Sequence, residues 1–222
     1  MHEMTTSPAV KSADTTLVTS SVPGELSPLE AAIMDACNEM HEVRDLGDAS
    51  QIAKVRGRLF ELIDRYDAAD AEGHPNAAWA RPNQRALALS AAGEAARAID
   101  AELAALKYAD TPRRREISLG NLADRCIRLG RYNDAIGYFL AALEDAPGSA
   151  PILLTGAQAL YLAGHTAEAD RIFAEFLSRP EMLTPGSELT AYLDCETRLR
   201  EMSRELPSLA ELMRRWSAAQ GV

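Results

Sequence analysis

The chain has 222 residues, of which 47% are hydrophobic and only 5% are aromatic, and its formal net charge is −10. A core of this composition is built mainly from Ala, Leu, Ile and Met, which pack well between helices and less well in sheets, so an all-α fold is expected. The acidic balance argues against nucleic acid and anionic membrane as main partners, because both are themselves polyanionic.

Cysteine usage and hydropathy indicate a compartment. Cys37, Cys126 and Cys195 are far apart and form no C-x-x-C pair, which is typical of a reducing environment. Neither a signal-peptide core near the start nor a stretch of about 18 apolar residues occurs. We therefore expect a cytoplasmic protein with no membrane segment. Arg outnumbers Lys by 20 to 3 in an Ala-rich chain, which suggests a GC-rich bacterial genome.

The first predicted ordered unit is a helical hairpin over 27–72, after a Ser-, Thr- and Pro-rich stretch at 1–26. We expect that stretch to be a disordered tail, either an unstructured leader or the carrier of a docking or export peptide. Ser27 is a natural N-cap, and Glu30 can close a capping box. The segment "DLGDAS" separates two helices with apolar residues at three- and four-residue spacing. These residues are Leu29, Ile33, Met34, Cys37 and Met40, then Ile52, Val55, Leu59, Phe60, Ile63 and Tyr66.

The segment "EGHPNAAWARPN" at 72–83 contains Gly73, Pro75 and Pro82, and is the best candidate for an internal boundary or long connection. Trp79 within it is expected to insert into a neighbouring core. The following residues, 83–108, favour helix, with Gly93 as the turn.

Two segments further along repeat one pattern: "LGRYNDAIGYFLAALEDAPG" at 129–148 and "AGHTAEADRIFAEFLSRPEM" at 163–182, 34 residues apart. Small residues, an aromatic residue, a turn glycine and a terminal proline recur nearly in register. Small residues such as Ala135, Gly156 and Ala169 allow helices to approach closely, whereas Phe139 and Phe173 fill the space between hairpins.

This pattern resembles the tetratricopeptide repeat, a helix–turn–helix unit of that period. The match is clear over about 116–182, and 79–110 resembles a degenerate earlier unit, so repeats are assigned to 79–182. The resemblance implies a right-handed superhelix of antiparallel hairpins whose inner groove is lined by the first helix of each unit. Such folds bind other proteins, as adaptors, secretion-type chaperones or assembly factors. The groove positions implied by the family are Ile117, Gly120, Asp124, Ile127 and Arg128, then Pro151, Leu154, Gln158, Tyr161 and Leu162.

Two interpretations of this groove stay open. Either it binds a peptide or helix of a partner protein, or some of its residues pack against the C-terminal helices at 186–220. Gly120, Asp124 and Leu154 stand where one chaperone-binding subset of the family carries a Lys, Asn and Arg clamp. Asp124 would repel a terminal carboxylate, so that ligand is not expected. After a helix at 187–206, "SLAELMRRW" presents an apolar stripe expected to cap the last repeat, with partner binding as the alternative.

The other candidate sites are weaker. Cys37, Glu39 and His41 define an alternative, a small helical metal-dependent regulator or enzyme, although two ligands four residues apart do not make a metal site. Arg113, Arg114 and Arg115 form a basic run for which an acidic neighbour is expected, for instance Asp110 or Glu116. No catalytic motif is present, so we expect a non-enzyme without cofactor or metal. A homo-oligomer formed through the C-terminal stripe or open repeat ends is the remaining alternative.

Overall fold

The computed structural model describes residues 28–71, 74–184, 186–195 and 197–220, without the side chains of residues 180, 182, 194, 195 and 197. Regular structure within these ranges is helical and contains no strand, which confirms the all-α expectation. The predicted tail at 1–26 and the predicted N-cap Ser27 lie outside the described residues. The helices are α1 (Pro28–Asp45), α2 (Ala49–Ala68), α3 (Ala77–Ala91), α4 (Ala95–Leu106), α5 (Pro112–Arg128), α6 (Tyr132–Asp145), α7 (Ala150–Leu162), α8 (Thr166–Leu177), α9 (Glu188–Cys195), α10 (Thr197–Met202) and α11 (Pro207–Gln220), with a 3₁₀ helix at Pro180–Leu183.

The first eight helices pack as four consecutive pairs, each joined by three residues. In the last three pairs the turn has one geometry. Gly93, Gly130 and Gly164 adopt φ of 84°, 71° and 87°. Each glycine N–H bonds the carbonyl three residues back, and the next N–H bonds the carbonyl five back. This is the Schellman helix end, which favours glycine because the backbone is left-handed there. The predicted turns are confirmed.

Positions counted from these glycines show what the three pairs share. Five residues after each glycine stands a fully buried alanine: Ala98, Ala135 and Ala169. Nine residues after each glycine the pairs differ, because Glu102 stands where the later pairs carry Phe139 and Phe173. All three of these larger side chains are buried. The joint between the α3/α4 and α5/α6 pairs is therefore chemically different from the next joint.

The contact between α6 and α7 depends on a glycine. A Cβ built on Gly156 would lie 2.3 Å from ring atoms of Phe139, closer than any real contact allows. The small residues at Gly156 and Ala169 predict that helices approach closely here. The prediction of close packing is confirmed, but the group occupying the space beside Gly156 is the Phe139 ring of the preceding pair. Phe139, Phe173 and Phe176 belong to the largest apolar cluster of the described residues.

The α1/α2 pair continues the packing at the N-terminal side, since both helices contact α3. Ile33, Met40 and Leu59 share a buried cluster with alanines of α3 and α4. Glu30, predicted to close a capping box, is itself buried and accepts a hydrogen bond from the Tyr66 hydroxyl. Burial and this hydrogen bond raise the pKa of Tyr66.

The expected long connection at 72–83 is shorter than predicted, because α3 already begins at Ala77 and Pro82 lies inside it. The Asn76 side chain caps the helix by accepting the Trp79 N–H at 3.0 Å, and Pro82 removes only one backbone hydrogen bond near the helix start. Trp79 is half-buried, and its indole N–H donates to the Ser118 hydroxyl of α5 at 3.1 Å.

The C-terminal helices cover the last pair. The apolar stripe of α11, Leu209, Leu212 and Trp216, is buried with α11 packed on α8. Asp170 of α8 holds the start of α11 by accepting from the backbone N–H and the hydroxyl of Ser208, both at 2.8 Å. The apolar stripe is therefore covered by α8 of the same chain. The single helix predicted over 187–206 is instead described as α9 and α10 on either side of residue 196.

Among the residues described, no helix combines the length and the apolar character needed to cross a bilayer.

Candidate partner-binding face

The first helices of the two clear repeats, α5 and α7, are buried along most of their length. Every residue from Glu116 to Ala123 and from Ala150 to Ala159 is buried. A helix enclosed on all sides needs a neighbour on its groove side as well as on its hairpin side. An open groove would leave one face of each helix in solvent, so α5 and α7 differ here from the expectation drawn from the resemblance.

Ten residues were predicted to line the groove, and the structure divides them into two sets. The buried set has little contact with solvent, and Leu154 in it is completely enclosed in the largest apolar cluster of the described residues. It consists of Ile117, Gly120, Ile127, Pro151, Leu154 and Gln158. The second set is partly exposed and consists of Asp124, Arg128, Tyr161 and Leu162.

The chain's own C-terminal segment covers α7. Helix α9 packs on α7, and the guanidinium of Arg198 in α10 donates to the Gln158 side chain at 2.9 Å. The Tyr161 hydroxyl donates to Glu205, and partial burial together with this hydrogen bond raises the pKa of Tyr161. In this structure Leu154 and Gln158 therefore follow the alternative interpretation, in which groove residues pack against the C-terminal helices.

The partly exposed set lies at the C-terminal ends of α5 and α7. Asp124 and Arg128 form an ion pair one helical turn apart, with Nε and Oδ2 separated by 2.8 Å. Leu162 packs against the small apolar cluster that contains Ile127, so the two helix ends lie side by side. Leu129, which follows α5 directly, is 42% exposed. Leu129 was not among the predicted groove residues, although an apolar residue just before a turn glycine is a detectable signal.

The metal-binding alternative gains no support from the geometry at Cys37. Its thiol is buried, and burial raises its pKa to about 12, which strongly disfavours the thiolate that binds metal. Glu39 is paired with Arg58 at 2.6 Å. The described residues contain no cluster of three or more potential ligands.

The basic run at the start of α5 has the two acidic neighbours that were named, Asp110 and Glu116, and a third that was not, Asp145. Arg113 pairs with Glu116, Arg114 with Asp110 and Arg115 with Asp145, each at 2.8 Å. The Arg114 guanidinium also lies over the Trp79 ring, 5.6 Å from its centroid. These pairs account for the charge of the run within the chain.

A buried polar layer between the α3/α4 and α5/α6 pairs was not predicted. We define it by five fully enclosed side chains: Asn83, Glu102, Ser118, Asn121 and Arg125. The Glu102 carboxylate accepts from Asn83 at 3.0 Å, from Asn121 at 3.3 Å and from Ser118. Arg125 Nη1 lies 2.9 Å from Glu102 Oε2. Burial raises the pKa of Glu102, opposed by the Arg125 charge and these hydrogen bonds.

Comparison with known proteins finds no family model that matches the chain, and no curated protein that is similar to it.

Proposed function

We propose that the protein is a non-catalytic protein-interaction module built from tetratricopeptide-like hairpins stacked as a right-handed superhelix, and that it acts in the cytoplasm. The repeated Schellman turns and the Phe139–Gly156 contact support this fold. The observation that carries the function is the set of partly exposed residues at the adjoining ends of α5 and α7. We call this set, with Leu129 added, the end face.

The end face combines features that suit a polypeptide ligand. Tyr161, Leu162 and Leu129 offer aromatic and aliphatic surface, which is enriched where binding energy concentrates in protein interfaces. Asp124 and Arg128 lie beside them and carry opposite charges. A partner segment with an apolar side chain flanked by polar groups therefore suits this face best. The buried residues Leu154 and Gln158 belong to the support beneath this face.

Site-specific photo-crosslinking tests this proposal without relying on variants that unfold. A photoreactive phenylalanine derivative replaces Tyr161, or Arg128, in the full chain expressed in its native cells. The matched control places the same group at Leu140, which is 55% exposed on α6. We expect positions 161 and 128 to capture one common protein that position 140 does not capture, identified by mass spectrometry.

Two outcomes would contradict the proposal. Capture of the same set of proteins from all three positions would show that the end face has no selectivity. Capture of only a second copy of this chain from positions 161 and 128 would instead favour the self-assembling component.

A further inference from the structure

We propose that the polar layer is a hinge at which the molecule opens, so that helices α1–α4 and helices α5–α11 move apart as two bodies that each stay folded. The inference does not depend on the proposed function. It comes from how the apolar cores are distributed and from what opening would expose at each joint.

The two main apolar clusters lie on opposite sides of the layer. One is formed by α1 to α4 and includes Ile33, Leu59 and Leu89. The other is formed by α5 to α11 and includes Phe139, Phe173 and Leu212. Among the described residues they share no buried residue. Between them lies a smaller cluster in which Ile99 of α4 meets residues of α5 and against which Leu103 packs. Leu106 at the end of α4 packs against both this cluster and the C-terminal one.

Opening has opposite consequences at the two joints. Separating Phe139 from Gly156 would expose an aromatic ring and the apolar surface around it, which water disfavours. Separating α4 from α5 would expose the five polar side chains of the layer, which water solvates well, together with the smaller apolar cluster around Ile99. Backbone spacing agrees with this difference. The backbones of α5 and α7 come close to each other, whereas the backbone of α5 comes close to that of α4 and hardly to that of α3.

The closed layer also leaves polar atoms without hydrogen bonds. Within the described part of the chain, Nε, Nη1 and Nη2 of Arg125 have no hydrogen-bond partner, although Nη1 is ion-paired with Glu102. Asn83 Oδ1 and Asn121 Oδ1 are unsatisfied as well. Unsatisfied buried polar groups destabilise the closed state, and opening lets water bond each of them. The layer therefore favours opening at this joint over the next.

Thiol labelling of the native full chain tests the hinge. Ser118→Cys places a thiol in the polar layer, and Ala157→Cys places a matched one beside Gly156. Both positions are fully buried. Labelling by iodoacetamide is followed at each position by peptide mass spectrometry, which separates these thiols from the native cysteines. Because sub-global opening is easier than global unfolding, we expect position 118 to react at least about tenfold faster than position 157.

Two further variants make the result decisive. Asn121→Cys, at another enclosed position of the layer, should repeat the fast labelling if Ser118→Cys perturbs the fold. Glu102→Leu with Arg125→Met removes both charges from the layer and should slow labelling at 118 toward the rate at 157. Equal rates at 118, 121 and 157 in the original background would overturn the hinge, and so would labelling at 118 that stays equally fast without the two charges.

Discussion

Gly156→Ala lowers the free energy of unfolding by about 3 kcal/mol, at the upper end of the penalties for overpacking a core. The new methyl group would lie 2.3 Å from the Phe139 ring, so α6 and α7 must move apart or the ring must leave its site. Helix propensity alone would make the variant more stable, because Ala is favoured over Gly within a helix by about 1 kcal/mol. Denaturant unfolding followed by circular dichroism measures the change.

The chain contains a matched control for this substitution. Gly137 also lies inside a helix, α6, and a Cβ built there meets no atom within 4 Å. Gly137→Ala should therefore stabilise the protein by about 0.5–1 kcal/mol. Phe139→Leu combined with Gly156→Ala should recover part of the loss, since the smaller side chain vacates the space. A Gly156→Ala protein as stable as Gly137→Ala would show that the α6–α7 contact is wrongly placed.

Among the described ion pairs, Glu102–Arg125 should give the largest coupling energy. Both side chains are fully enclosed, so Glu102→Leu leaves a buried cation without its partner and should cost about 3–5 kcal/mol. Arg125→Met leaves a buried carboxylate and should cost a similar amount near neutral pH. The double variant removes both buried charges but leaves the Asn83, Asn121 and Ser118 donors without their acceptor. We therefore expect it to lose less stability than either single variant, and much less than their sum.

The pH dependence of Arg125→Met provides an independent check on this pair. Burial raises the pKa of Glu102, and loss of the guanidinium raises it further. A pKa raised in the folded state favours folding at low pH, and that contribution is lost as pH rises through the folded value. The destabilisation should therefore shrink as the pH is lowered below neutral, whereas that of Glu102→Leu should not. Additive single-variant losses, or identical pH profiles, would exclude a buried ion pair.

Much of the helical framework was predictable because it depends on local chemistry. Gly93, Gly130 and Gly164 stand where the chain must adopt a left-handed conformation, and the spacing of alanine and aromatic residues predicts the pairs around them. Proline was less informative about where helices begin. Pro82 was interpreted as part of a connection, but the Asn76 cap and the burial of α3 outweigh the single hydrogen bond it removes.

The environment of the predicted groove could not be predicted, because it depends on contacts between distant segments. Leu154 and Gln158 have the spacing of groove residues, yet α9 and α10 cover them some forty residues later in the chain. The polar layer was not predicted, for a related reason. Glu102 and Arg125 look like ordinary surface charges until α4 and α5 are packed against each other.

The hairpins stack in chain order, with an apolar joint at Phe139 and a polar joint at Glu102. A crystal structure of the full chain would show this arrangement. We expect the Phe139 ring in van der Waals contact with Gly156, and the Glu102 carboxylate buried against Arg125. A structure in which Gly156 faces solvent, or in which α4 and α5 do not pack together, would contradict it.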